Sequence, residues 1–294
     1  MSELERRAVL GAAGLAGIAV LVSRAAAGPL NPPAGSVSPT GRTLDEIYNR
    51  IPAASTSIGL TAIPGGTSGA TITQPGSYIL TGNLSGSGAA VITISASDVS
   101  LNLNGYTVTS SSTAASSRVI FISGVRSRVT IRNGRVVGAE FGLGLSAAST
   151  DLLIEDLWVH NSKFTGIATN FAGSTRTIVR RCTVTGVGAV AAAAETISNI
   201  TGITVSGANC RIEDCNVGGF DWNGSGTPFY RGIVMSSSTG GVGNLITRCC
   251  VSNEVSLTGE GLRFFGTGIY RDNTVMSFST AFSSGTNGGG NTSL

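Results

Sequence analysis

One short apolar phrase recurs seven times along this chain, and its spacing limits the fold more than any other feature. The copies include Leu101-Asn-Leu103-Asn-Gly-Tyr-Thr-Val108, Val129-Thr-Ile131-Arg-Asn-Gly-Arg-Val136, Leu152-Leu-Ile154-Glu-Asp-Leu-Trp-Val159 and Cys210-Arg-Ile212-Glu-Asp-Cys-Asn-Val217. In each an apolar anchor is followed five positions later by valine. The anchors, at positions 103, 131, 154, 179, 212, 246 and 270, stand 28, 23, 25, 33, 34 and 24 residues apart. A period of that size is one coil of three short strands and three turns, which buries its apolar faces only by stacking on its neighbours.

A second phrase precedes the first: Gly142-Leu143-Gly-Leu145, Gly166-Ile167, Gly202-Ile203-Thr-Val205, Gly232-Ile233-Val-Met235 and Gly261-Leu262-Arg-Phe264. Glycine is expected to open a corner there, with the alternating apolar residues pointing into the coil. Two strands per coil are thus legible, and the remaining length leaves room for a third. Two columns test the register. Arg132, Glu155, Arg180, Glu213, Thr247 and Arg271 follow the anchors, and Asn133, Asp156, Arg181, Asp214, Arg248 and Asp272 come next. Equivalent residues of a parallel solenoid stack about 4.8 Å apart, where like charges repel, and both columns mostly alternate in sign. A third column places Cys182, Cys215 and Cys249 in consecutive coils as a ladder inside a turn.

Composition agrees. Forty-two glycines, 12% charged and 41% hydrophobic residues describe many tight corners joined by apolar runs, which excludes disorder over most of the chain. A net charge of +3 without a dense Lys/Arg stripe argues against nucleic acid as a partner. Five cysteines with no CxxC pair, beside a single histidine, do not make a structural zinc site. The cysteines read as small buried apolar side chains, and their pairing is left open.

The ends read differently. Residues 1–27, with Arg6 and Arg7 before an uncharged run to Val22 and a small-residue stretch ending at Ala27, have the physical form of a signal peptide. Arg6-Arg7-Ala8-Val9-Leu10 resembles a twin-arginine export signal. The run falls short of the ~20 apolar residues of a membrane span, so an exported protein, periplasmic, cell-surface or extracellular, with no membrane partner after cleavage is expected. Residues 28–70 form a Pro/Gly-rich linker and an N-terminal cap. Within it Thr43-Leu44-Asp45-Glu46 is a capping box for a short helix at about 44–51. The coils occupy 71–280, and 281–294 is a Gly/Ser/Asn-rich tail.

The Gly-Ile openings and Asp-Cys-Asn-Val phrases between Gly76 and Val275 resemble the right-handed parallel β-helix repeat proteins, the pectate-lyase-like fold. The resemblance implies an all-β, single-stranded right-handed parallel β-helix with a short capping helix. It also implies the range of roles found on this fold: polysaccharide lyases, glycoside hydrolases, phage tailspikes and binding or surface proteins. Gly28-Pro29-Leu30-Asn31-Pro32-Pro33 and Pro75-Gly76-Ser77-Tyr78 are similar to uncharacterised exported β-helix proteins of planctomycete-like bacteria.

For chemistry the sequence singles out the two long intervals. Their extra residues, Ala189 to Asn199 and Gly219 to Tyr230, follow the valine in consecutive coils and should lie together on one side, where insertions of a repeat protein commonly build its binding surface. Trp222, Phe229 and Tyr230 have faces for sugar rings; Asn223 and Arg231 supply polar contacts. The alternative is that these aromatics pack over the coils. Asp221, Glu195 and His160 are the weak catalytic candidates, with Lys163 close to His160. No cofactor is expected; calcium has no motif to support it, and dependence on it is left open. Glu155, Asp156, Glu213 and Asp214 read as ladder carboxylates bridged by Arg180 and Arg181 rather than as metal ligands. A polysaccharide partner, bound with or without cleavage by lyase or hydrolase chemistry, stands against a non-enzymatic envelope or adhesion protein; oligomeric state is open.

Overall fold

A computed structural model of the protein describes residues 60–189, 197–237, 243–254 and 256–294. The signal peptide, the capping box with its helix and Glu195 lie outside the described residues.

Every strand pairing is parallel, and three strand positions repeat along the chain. A nine-stranded sheet takes the glycine-led strands, from Ala70–Ile72 through Arg118–Ile122, Phe141–Leu145, Thr165–Thr169, Asn199–Ser206, Phe229–Ser236 and Leu257–Phe265 to Phe278–Ser283. A 17-stranded sheet holds the other two positions, the anchor strands and the valine strands. The architecture is a right-handed parallel β-helix, all-β among the described residues.

The apolar files explain why the strands form where they do. Leu101, Ile131, Ile154, Val179, Ile212, Ile246 and Tyr270 are register partners in turn, all nearly inaccessible. Val108, Val136, Val159, Val184, Val217, Val251 and Val275 form a second internal file. Each such side chain contributes about 1.5–3 kcal/mol by burial, so the stack is held by many equal steps. In the first copy the partner of Ile131 is Leu101, not Leu103. Asn104 and Gly105 widen that corner by two residues, and the buried Leu103 occupies the space over Gly134.

The glycines do another job than turning the chain. Gly142, Gly166, Gly202, Gly232 and Gly261 have ordinary backbone angles, but an added Cβ would collide with Cγ1 of Val159, Val184, Val217, Val251 and Val275 respectively. Glycine is therefore demanded by the valine file, which presses against the bare backbone. The corner between anchor and valine strands is made by the second charged column: Asn133, Asp156, Arg181, Asp214, Arg248 and Asp272 all sit in the left-handed region, φ 50–60°. Asn and Asp tolerate it; for arginine it costs roughly 1–2 kcal/mol. Ion pairs to the coil before, Arg181–Asp156 at 2.7 Å and Arg248–Asp214 at 2.6 Å, hold the arginines there. A second left-handed column, three residues before the anchors, runs Asp98, Arg128, Asp151, Arg176 and Asn209, with pairs Arg128–Asp98 and Arg176–Asp151.

Inside the corner the cysteine ladder is present and its thiols are free. Cys182, Cys215 and Cys249 each donate to the anchor carbonyl one coil back, those of Ile154, Val179 and Ile212, at 3.7–3.8 Å. Asn273 and Asn291 continue the same column with amide donors to Ile246 and Tyr270 at 2.9 and 3.1 Å. The stacked Cys215 thiol and burial push Cys182 and Cys249 well above the ordinary thiol value. Two segments differ from the expected boundaries. Strand Leu60–Ile63 pairs within the stretch read as linker, and Thr286–Asn287 and Thr292–Ser293 of the 281–294 tail pair onto Ile269–Arg271 and Thr274–Val275 as a last partial coil.

Candidate functional site

The two insertions do meet. Asn223 Nδ2 donates to the Ala189 carbonyl at 2.6 Å, Asp221 N to Val187 at 3.1 Å, and Phe229 N to Ser198 at 2.9 Å. Asn199–Ser206 and Phe229–Ser236 then pair along the nine-stranded sheet.

Their aromatics divide between covering the coil and facing outward. Trp222 is half-buried against the core, its Nε1 donating to Ser225 O at 3.2 Å. Tyr230 meets Phe220 edge-on at 6.0 Å, and buried Phe220 meets Phe278 at 5.9 Å. Burial, then the charge of Asp221, raises the Tyr230 hydroxyl above its ordinary value. Asp221 and Asn223 are exposed. His160 lies two coils earlier on the valine strands, where its Nδ1 and Trp158 Nε1 share the Thr185 hydroxyl at 3.0 and 3.1 Å. Lys163 lies with its ammonium 5.6 Å from the Phe164 ring.

Phe229 and Arg231 lead onto the outer face of the nine-stranded sheet, which carries the densest constellation among the described residues. One outward file runs Arg118, Phe141, Thr165, Thr201, Arg231 and Glu260; its neighbour runs Phe121, Gly144, Ala168, Thr204, Val234 and Arg263. Parallel stacking thus brings together residues up to 145 positions apart. The middle is a floor of small side chains: Thr165 and Thr201 are 8% exposed and Ala168 4%, although they point away from the interior. The face is therefore recessed along its centre.

At one end Arg118 lies across Gly144, which has no side chain to block it, with its guanidinium 4.7 Å from the Phe121 ring and 5.4 Å from Phe141. Burial lowers the Arg118 value, and the charge of Glu140 works against that. Phe164 packs edge-on to Phe141 at 6.5 Å. At the other end Arg231 stands 5.3 Å from Phe229 and 5.7 Å from Phe265, and Arg263 3.9 Å from Phe265, which is 40% exposed. Between these cations Glu260 is 6% exposed, 2.7 Å from Arg263 and 3.6 Å from Arg231. Burial pushes its carboxyl up, but hydrogen bonds from Arg263 and Ser283 and the two positive charges outweigh it and leave the group below the usual carboxylate value. Guanidinium planes on aromatic rings, beside threonine hydroxyls, suit a ligand with both apolar faces and polar edges.

The structure therefore connects the expected Phe229 and Arg231 to this face, turns Tyr230, the register partner of buried Ile200, onto Phe220 at the core, and leaves His160 apart from the face. Arg118, Phe121, Phe141, Glu260, Arg263 and Phe265 were not singled out from sequence. Each coil supplies only one or two of them, and only the stacked register assembles the set.

Fold and site together define a parallel β-helix with a recessed outer face closed at both ends by cations on aromatics. No protein-family model matches the sequence, and no curated protein matches it either. Among solved structures the chain is similar to the catalytic domain of a GH87 α-1,3-glucanase in complex with nigerose, at 10% identity over 89% of this chain and 70% of that chain, TM-score 0.34. The same domain with tetrasaccharides gives 11% identity, 90% and 70% coverage and TM-score 0.30. A full-length tailspike protein 2 from an Escherichia coli O157:H7 bacteriophage gives 12% identity, 77% and 37% coverage and TM-score 0.31.

Proposed function

We propose that this is an exported parallel β-helix protein that binds an extracellular polysaccharide along the outer face of the nine-stranded sheet, next to the joined insertions. The observation that carries the reading is the pair of outward files. Aromatic rings, guanidinium groups and threonine hydroxyls recur along them at the inter-coil spacing, which favours an extended chain over a compact ligand. The leader-like residues 1–27 support export. Along the face itself binding is the role in view, because Glu140 accepts the Ser116 backbone N–H and Glu260 is clamped between arginines; cleavage would have to draw on carboxylates of the adjoining insertions, such as exposed Asp221. Two carboxylates free to act as acid and base or nucleophile are what glycoside hydrolysis needs.

Glycan-array binding by the purified protein tests this, with Phe265→Ala, Phe229→Ala and Phe141→Ala as variants and reducing-end release measured on every bound glycan. Weakened binding in at least one variant is expected; unchanged binding in all three removes this face from consideration. Release of reducing ends would replace binding by cleavage.

A further inference from the structure

Three buried side-chain nitrogens on this outer face lack a hydrogen-bond partner: Nε of Arg118, Arg231 and Arg263. All three belong to the two outward files. A guanidinium carries five donors in a fixed fork, and the side chains of Arg231 and Arg263 are 24% and 27% exposed, so their terminal N–H groups can be met from solvent even though Nε is covered. The face also lacks negative charge to match. Arg118 has Glu140 as its nearby carboxylate, and Arg231 and Arg263 share Glu260. Three guanidiniums meet two carboxylates.

The position of these groups is informative too. Arg118 and Arg231 occupy the same file, and Phe141, Thr165 and Thr201 separate them. Four inter-coil steps of ~4.8 Å put the backbone positions of Arg118 and Arg231 about 19 Å apart. The floor between them is uncharged and low. A ligand that is negative at one point meets one end; a longer one meets both.

Resting on the glycan reading above, we infer that the face is a two-point reader of an anionic glycan, engaging acidic groups near Arg118 and near Arg231–Arg263 with an unread stretch of sugar across the threonine floor. The arginines act as fork donors to carboxylate or sulfate oxygens, and the aromatic rings hold their planes. The two ends work as linked sites, so affinity rises steeply once one chain reaches both.

The test is an array of glucan, mannan and galactan oligosaccharides from dimers to octamers, each as the neutral sugar and as its C6-carboxylated counterpart, read with the full-length protein. The carboxylated series is expected to bind about tenfold or more tightly than the neutral one. It should also show a jump in affinity, lost at high salt, once the oligomer is long enough to span the floor. Arg118→Gln should bring the long oligomers down to the affinity of the short ones. Equal binding of neutral and carboxylated sugars overturns the anionic inference and leaves the glycan reading standing. A preference for carboxylates with no dependence on length overturns the two-point geometry. Binding of no glycan at all overturns the proposed function itself. The ligand comparisons need no variant, so they decide the question even if Arg118→Gln fails to fold.

Discussion

The turn between anchor and valine strands and the passage from valine strand to glycine-led strand treat chain length in opposite ways. In the first, anchor and valine stay five residues apart from Ile131–Val136 to Tyr270–Val275. In the second, Val159 to Gly166 is seven residues, Val184 to Gly202 eighteen and Val217 to Gly232 fifteen. The short corner is fixed from both sides, by left-handed backbone and ion pairs outside and by thiol or amide donors inside. The long passage, where it is described, is tied by single contacts such as Asn223 to Ala189, Asp221 N to Val187 and Phe229 N to Ser198. Invariance sits where stacking is over-determined, and variation is left where a side chain can be exchanged without disturbing the next coil.

Four changes probe that contrast. Gly202→Val, which forces a side chain into Val217 and the backbone of the next coil, should have the largest effect. Overpacking of this kind costs about 1–3 kcal/mol even where neighbours yield, and here backbone cannot yield, so loss of the cooperative thermal transition is expected. Ile212→Ala should cost about 2–5 kcal/mol in denaturant unfolding; a loss under about 1 kcal/mol would mean that the anchor file does not carry the fold. The third concerns acid. Asp98, Asp151, Asp156 and Asp214 are held below the usual carboxylate value by hydrogen bonds from Arg128, Arg176, Arg181 and Arg248. Their contribution is complete above the unfolded value of about 3.9 and disappears as pH falls through the lowered folded values. Arg181→Gln should lower the melting temperature near neutrality slightly, with the difference from wild type closing as pH falls below about 4. An unchanged melting temperature near neutrality would show that the column is ornamental to stability. The smallest change is Asn223→Ala, expected within about 1 kcal/mol of wild type because one exposed hydrogen bond is lost; a larger loss would place the insertions within the load-sharing stack.

The same contrast decides what the sequence disclosed. Ile131, Ile154, Val179, Ile212 and Ile246 could be placed in one file because stacking demands the same residue type at each step. The column Asp98, Arg128, Asp151, Arg176 alternates in sign too, but it lies three residues before each anchor, outside the phrase that marks the repeat. Leu103 passes for an anchor because both it and Leu101 are apolar and the two extra corner residues leave no mark in the pattern. The glycine positions are legible but their cause is not, since a sequence shows no neighbour to collide with. The outer face was hardest: Arg118, Phe141, Arg231 and Phe265 obey no column rule, and only proximity across coils gives them a common role.

The ladder that changes from Cys182, Cys215 and Cys249 to Asn273 and Asn291 has a chemical consequence. The interior of the middle coils is sealed by groups that oxidants and alkylating agents attack, while the last coils are sealed by inert amides. Resistance to such reagents in the middle coils therefore rests on the stack staying shut, and the rate at which those sulfurs become reactive would report how often neighbouring turns part.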